Sequence, residues 1–228
     1  MFYRSLFTNA FTACALFSGG IALADSFNIS NDDPSAYSLV NSLGEPLNAG
    51  NAILGAFSSN TWSYDVTTSR WNFQGNSYAQ DQLKYSDLMS MQNNFNGTLT
   101  NIPEEQNGGV TNGSFNLSGD YSSPSLASPV YLMVTGQDGE TAFFVFKNVS
   151  SDSLLNYDNI SISGAEPFDL WLTTKEQALT NDLDYYAECI LGNINLENNT
   201  IQLLIPEPAT AAMSLLGLAA LMVRRKRK

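Results

Sequence analysis

Apolar positions along the chain fall in short runs separated by Gly, Asn, Ser and Asp, the pattern of a β-rich fold. Thr61-Trp62-Ser63-Tyr64-Asp65-Val66 alternates polar and apolar residues, and Trp71-Asn72-Phe73-Gln74 does the same after a short turn. A period of two predicts a hairpin with Trp62, Tyr64, Val66, Trp71 and Phe73 on one face. Residues 129–135 and 141–146 are apolar at successive rather than alternate positions, and Gly136-Gln137-Asp138-Gly139 joins them. They predict the most buried hairpin, in the middle of a sheet covered on both faces. Further strands are predicted over 26–30, 37–41, 52–57, 114–117, 168–172 and 200–205.

Helical patterns are fewer. Residues 80–91 place Leu83, Leu88 and Met91 on one side of an amphipathic helix. Thr174-Lys175-Glu176-Gln177 has the form of a capping box opening a short helix. Residues 181–191 predict another turn or two of helix, closed by Gly192, with Cys189 on its apolar stripe. The stretch 93–128 is rich in Asn, Gly and Ser and reads as long loops with one or two strands. The expected fold is mainly β: a single β-sandwich-like domain over 25–205 with one to three short helices.

The two ends follow a different logic. Met1-Phe2-Tyr3-Arg4 opens an apolar stretch that runs to Leu23, and Ala22-Leu23-Ala24 is an A-x-A site. Small side chains at its first and third positions fit a signal peptidase, so residues 1–24 read as a signal peptide cleaved between Ala24 and Asp25. A retained anchor is the alternative, disfavoured by the short stretch and its cleavage site. At the other end, Pro206-Glu207-Pro208 precedes the uncharged segment 209–223. Arg224-Arg225-Lys226-Arg227-Lys228 follows it, with half of the ten Lys and Arg of the chain. A basic stop stays on the cytoplasmic side, which puts everything before Pro206 outside. Fifteen residues are short for a spanning helix, and Arg224 and Arg225 shorten the requirement by snorkelling.

This order of motif, apolar helix and basic tail resembles the PEP-CTERM sorting signal of Gram-negative bacteria, carried here by 206–228. The resemblance implies recognition by an exosortase, a membrane-embedded cysteine protease. It also implies a transient inner-membrane stage, cleavage near the motif, and delivery to the cell surface or an exopolysaccharide matrix. A plain C-terminal anchor behind a chance Pro-Glu-Pro is the alternative. A second resemblance is looser. Gly44-Glu45-Pro46-Leu47, Ile53-Leu54-Gly55-Ala56-Phe57-Ser58 and Val130-Tyr131-Leu132-Met133-Val134 look like the body of small PEP-CTERM proteins, which implies no activity and no site residues.

Charge narrows the partners. The segment 25–205 holds 21 acids and four bases (Arg70, Lys84, Lys147, Lys175), a net charge near −17. Such a surface opposes nucleic acid and anionic membrane. The chain contains no histidine, which removes His-dependent nucleophile systems and the usual His-containing zinc sites. Its two cysteines are Cys14, inside the signal peptide, and Cys189, so no disulfide scaffold is expected. Cys189 reads as a buried free thiol.

What remains is carboxylate and aromatic chemistry. A glycosidase needs two carboxylates across a sugar bond, and no pair stands out among the acids. No catalytic residue and no metal ligand set is assigned. Asn181-Asp182-Leu183-Asp184 and Asn156-Tyr157-Asp158-Asn159 have the alternation of oxygen ligands, so structural calcium is open, but turn and cap roles explain both. Trp62, Tyr64, Trp71 and Phe73 are a candidate platform for stacking on sugar rings, although aromatic stripes at strand spacing usually form cores. Trp171 follows the same logic. Seven Asn-x-Ser/Thr triplets lie beyond residue 24, Asn148-Val149-Ser150 among them. The Asn, Ser and Thr content produces roughly four or five by chance, so none is assigned a role. The expected function is a non-enzymatic, structural or adhesive exported protein with polysaccharide contact. The alternative is a secreted carbohydrate-active enzyme, a glycoside hydrolase or lyase.

Overall fold

The computed structural model describes residues 25–31, 36–58, 61–97, 112–121, 129–137, 139–156 and 168–204. Over these the chain is mainly β, with several sheets and few helices. In chain order the strands are β1 (Asp25–Ser30), β2 (Ser38–Val40), β3 (Gly50–Phe57), β4 (Ser63–Asp65), β5 (Arg70–Phe73), β6 (Asn76–Tyr78) and β7 (Phe95–Gly97). They continue with β8 (Asn116–Tyr121), β9 (Tyr131–Gly136), β10 (Thr141–Asn148), β11 (Phe168–Trp171), β12 (Tyr185–Leu191), β13 (Asn193–Asn195) and β14 (Thr200–Gln202). Helix α1 spans Tyr85–Asn93 and helix α2 spans Lys175–Thr180.

The sheet that organises the molecule has the order β12-β10-β9-β3-β7, all antiparallel. Its middle is the β9–β10 hairpin expected from the uninterrupted apolar runs. Successive side chains of a strand point to opposite faces, so a run with no polar alternation needs cover on both. Val130, Leu132 and Val134 enter one apolar cluster, while Tyr131 and Met133 enter another.

The first cluster is closed by two small sheets, β11-β1-β8 and β13-β14-β2. Each contains a parallel pair joining distant parts of the chain. Ile29 lies opposite Leu170, and Leu39 opposite Ile201. Their side chains pack with Leu54, Phe144, Phe146 and Leu203. Asn31, buried at the end of β1, fastens this layer. Its Nδ2 donates to the carbonyls of Tyr37 and Gly113, both at 2.8 Å, and its Oδ1 accepts the Phe115 N–H at 2.7 Å. A buried amide with these bonds made holds three segments at once. Gly113 sits there at φ +78, where a Cβ would stand 2.6 Å from the Leu39 carbonyl oxygen, so only glycine fits.

The second cluster is closed by the β4-β5-β6 meander and α1. Here the expected 80–91 helix is corrected. A 3-10 turn at Gln80–Gln82 ends at Leu83, and α1 begins only at Tyr85. Asp87 accepts the Lys84 N–H at 2.9 Å and so stabilises the new helix start. Leu88 and Met91 are buried as expected, and Leu83 packs against the same cluster from the preceding turn.

A second correction is larger. Residues 181–191 do not form a helix. The capping box at Thr174 works as expected, its Oγ1 accepting the Gln177 N–H at 3.1 Å. However, α2 stops at Thr180, Asp182 takes a left-handed conformation at φ 55, and β12 follows. The physical reason is the free edge of β10. Tyr185, Ala187 and Cys189 face the first cluster, and pairing with Phe143–Asn148 satisfies the backbone as well. Tertiary pairing outweighs the helix propensity of Ala-Glu-Cys-Ile-Leu.

Candidate functional site

The four aromatic residues of the candidate platform do share one face. Tyr64 lies directly opposite Trp71 in the β4–β5 register, and Trp71 and Phe73 alternate along β5. That face turns inward onto the five-stranded sheet. Trp71 is fully buried and Trp62 is 3% exposed, while Tyr64 and Phe73 are half-buried at the margin. Phe73 stacks on Trp62 with ring centroids 4.5 Å apart and planes 10° apart, covering one indole face. Phe57 meets Trp71, Phe95 and Tyr131 edge-on at 5.2–5.8 Å, the preferred T-shaped geometry. These rings form a core, and a sugar has no indole face of Trp71 on which to stack.

Polar atoms of the layer are satisfied internally. Trp71 Nε1 donates to the Ile190 carbonyl at 3.1 Å, and Trp62 Nε1 to Ser90 Oγ at 3.1 Å. Ile190 sits at a β-bulge, where the register jumps from Phe144–Cys189 to Phe143–Leu191. The bulge leaves Ile190 without a ladder partner and directs both Ile190 and Leu191 into the aromatic cluster. Tyr131 Oη accepts the Tyr64 N–H at 3.2 Å, and burial pushes its hydroxyl up to about 12.

Beyond the rings, the same sheet face carries a polar margin that the sequence pattern did not single out. Lys147 on β10 pairs with Glu188 on β12. Next to them, Asp152 receives Lys175 Nζ at 2.7 Å and the Tyr186 hydroxyl at 2.9 Å. Hydrogen bonds from Lys175 and Tyr186 hold the Asp152 carboxyl below its ordinary range, and burial raises Tyr186. The Asn148-Val149-Ser150 triplet is the turn that brings Asp152 there. Asn148 Oδ1 accepts the N–H groups of Ser150 and Ser151 at 3.0 and 3.1 Å.

Cys189 lies on a strand, not on a helical stripe. Its thiol donates to the Leu191 carbonyl at 3.3 Å, and burial pushes it up to about 12, so it stays a thiol at neutral pH. Trp171 is half-buried on β11. Asn181 and Asp182 form the turn after α2, the role expected of them. Asn156-Tyr157-Asp158-Asn159 falls mostly outside the described residues.

Two open depressions of about 600 and 540 Å³ lie elsewhere on the surface. Glu197 is the carboxylate lining the first and Asp81 the one lining the second. Among the described residues no three Cys, Asp or Glu side chains gather as a metal-binding group, and no helix is long and apolar enough to cross a membrane. The signal-cleavage residues Ala22 and Ala24, the motif Pro206-Glu207-Pro208 and the basic stop Arg224–Lys228 lie outside the described residues, and Asp25 begins β1. No family model, curated protein or solved structure matches the chain.

Proposed function

We propose that this chain is an exported, non-enzymatic protein of the cell surface or extracellular matrix, a β-sandwich-like domain delivered by a C-terminal PEP-CTERM signal and working as a structural or adhesive element. The observation that carries the reading is the order Pro206-Glu207-Pro208, apolar segment 209–223, basic tail Arg224–Lys228. Two features of the fold support it. The strand β1 is described from Asp25 and pairs on both sides, so cleavage after Ala24 would keep every described pair of its ladders. Near the other end, Leu203 and Leu204 are tied to Val40 and Thr141 by backbone hydrogen bonds of 3.0 Å. The motif therefore follows the folded part with almost no linker.

Burial of Trp62 and Trp71 favours the structural side of this reading, since the aromatic stripe serves the core. Exopolysaccharide contact then falls to the polar surface. A carbohydrate-active enzyme would need one carboxyl raised to act as acid. The described carboxylates with a resolved shift, Asp65 and Asp152, are both lowered. Exosortase and signal peptidase are the partners during processing.

The test follows the chain in the cell. Glu207→Ala, or deletion of Arg224–Lys228, is expected to leave precursor in the inner membrane, while the unaltered protein is recovered from surface or matrix with an intact mass beginning at Asp25 and ending near Pro206. Sorting untouched by both changes would overturn the exosortase reading.

A further inference from the structure

Exposed apolar side chains gather at one place on this acidic domain. Among the described residues five large apolar side chains are exposed, and three of them are Leu43, Ile194 and Leu196, at 80, 46 and 75%. Ile194 and Leu196 line the depression of about 600 Å³, and Gly44, next to Leu43, lines it with them. Gln202 Nε2 donates to the Ser42 carbonyl at 2.6 Å, which holds the loop after β2 against the β13–β14 hairpin. A single exposed leucine needs no explanation, whereas a cluster beside an open strand marks a contact surface.

The open strand is β13. It pairs with β14 on one side, and among the described residues no strand pairs with the other. Exposed edges are commonly blunted by a charge or a proline. Residues 189–196 contain neither, and all three residues of β13 are exposed. The strand is also self-complementary, because Asn193-Ile194-Asn195 reads the same in both directions. Two copies related by a two-fold axis through Ile194 would pair antiparallel, Ile194 opposite Ile194 and each Asn193 opposite an Asn195. Asn195 Oδ1 accepts the N–H groups of Glu197 and Asn198 at 3.0 and 3.3 Å, and its Nδ2 remains as a donor for Asn193 of the second copy. Leu196 falls opposite Gly192, which has no side chain to obstruct it. The Glu197 carboxylates of the two copies end up roughly 20 Å apart, about two Debye lengths at 0.1 M salt, so they do not oppose the contact.

We propose that β13 is a self-association edge, pairing antiparallel with β13 of a second copy so that the two β13-β14-β2 sheets join into one. An edge of three residues buries little, which places the contact in the weak class that works when many copies are held together. The inference goes beyond the sorting reading and does not depend on it.

The full-length protein in detergent is oxidised mildly with one cysteine introduced at a time, and disulfide-linked dimer is followed on non-reducing gels. Opposed Cβ atoms in an antiparallel pair lie about 4.5–5.5 Å apart, close to disulfide reach. Ile194→Cys is expected to dimerise about tenfold faster than Leu196→Cys, whose two copies are displaced by about 14 Å along the strands, or than Leu179→Cys on α2. The unaltered chain is the blank for the native cysteines. Adding Asn193→Lys to Ile194→Cys puts a charge on the edge and should slow the cross-link about tenfold. All four positions are exposed, so the variants keep the fold. The proposal is overturned if Ile194→Cys forms no dimer, if Leu196→Cys or Leu179→Cys matches its rate, or if Asn193→Lys leaves that rate unchanged. None of these outcomes bears on the Glu207→Ala test of sorting.

Discussion

The two faces of the five-stranded sheet are buried by different means. One is covered by strands from far-apart segments, β1 with β11 and β2 with β14, and its packing is largely aliphatic with Phe144 and Phe146. The other is covered mainly by one continuous stretch, Trp62 to Phe95, whose rings meet edge-on and whose indole N–H groups are bonded inside the layer. The first face needs the whole chain to be in place before it closes. The second needs only a local meander and α1 to settle on a finished sheet. Loop-closure cost falls on the first face and side-chain geometry on the second.

The largest expected effect tests whether the faces unfold together. Trp71→Ala and Phe144→Ala should each cost about 3–5 kcal/mol in urea unfolding. Because both faces share β9 and β10, tryptophan fluorescence and far-ultraviolet circular dichroism should give one coincident transition for each variant. A fluorescence transition at lower urea would make the aromatic layer a separate unit and break the comparison. Trp71→Phe removes the hydrogen bond to Ile190 together with part of the buried ring and should cost about 1–3 kcal/mol.

Alkaline pH gives a graded effect, small per pH unit, and touches each face through a different residue. Tyr131 in the aromatic layer and Cys189 on the other face both titrate near 12 when folded, against 10.0 and 9.0 for the free groups. The folded state holds these protons longer than the unfolded state, so stability is fully present below about pH 9 and falls as pH rises towards about 12. The slope is at most about 1.4 kcal/mol per pH unit for each group. Cys189→Ala should remove the part that begins near pH 9, and Tyr131→Phe the part that begins near pH 10. A stability profile flat from pH 9 to 11 in wild type would show that neither group is held from water.

The smallest effect is a control outside both faces. Thr174→Ala removes the cap of α2 and should cost about 1 kcal/mol, read as a thermal midpoint lower by roughly 2–4 °C. Thr174→Ser should restore most of it.

Much of the local structure was legible. The β9–β10 hairpin, the shared face of Tyr64 and Trp71, and the Thr174 cap follow from periodicity and side-chain chemistry within a few residues. The misreading of 181–191 as helix has a definite cause: its apolar positions suit either period, and the free edge of β10 decided between them. The same limit explains what was not seen. Asn31 looks like a turn residue, yet it joins segments 82 and 84 positions away. Nothing near Glu140 in the sequence points to Ser42, which is 98 residues distant. The aromatic stripe was visible, but which way it faces depends on the sheet beneath it.

Taken alone, the sequence determined the β-rich character, the absence of histidine, the acidic composition and the order of Pro-Glu-Pro, apolar run and basic tail over 206–228. Each depends on composition or on neighbours in the chain. Only the tertiary structure decided that Trp71 is core, that 185–191 is a strand, and that Glu140 is buried against Ser42. Those outcomes depend on contacts between residues far apart in sequence, whose energies exist only once the chain has closed on itself.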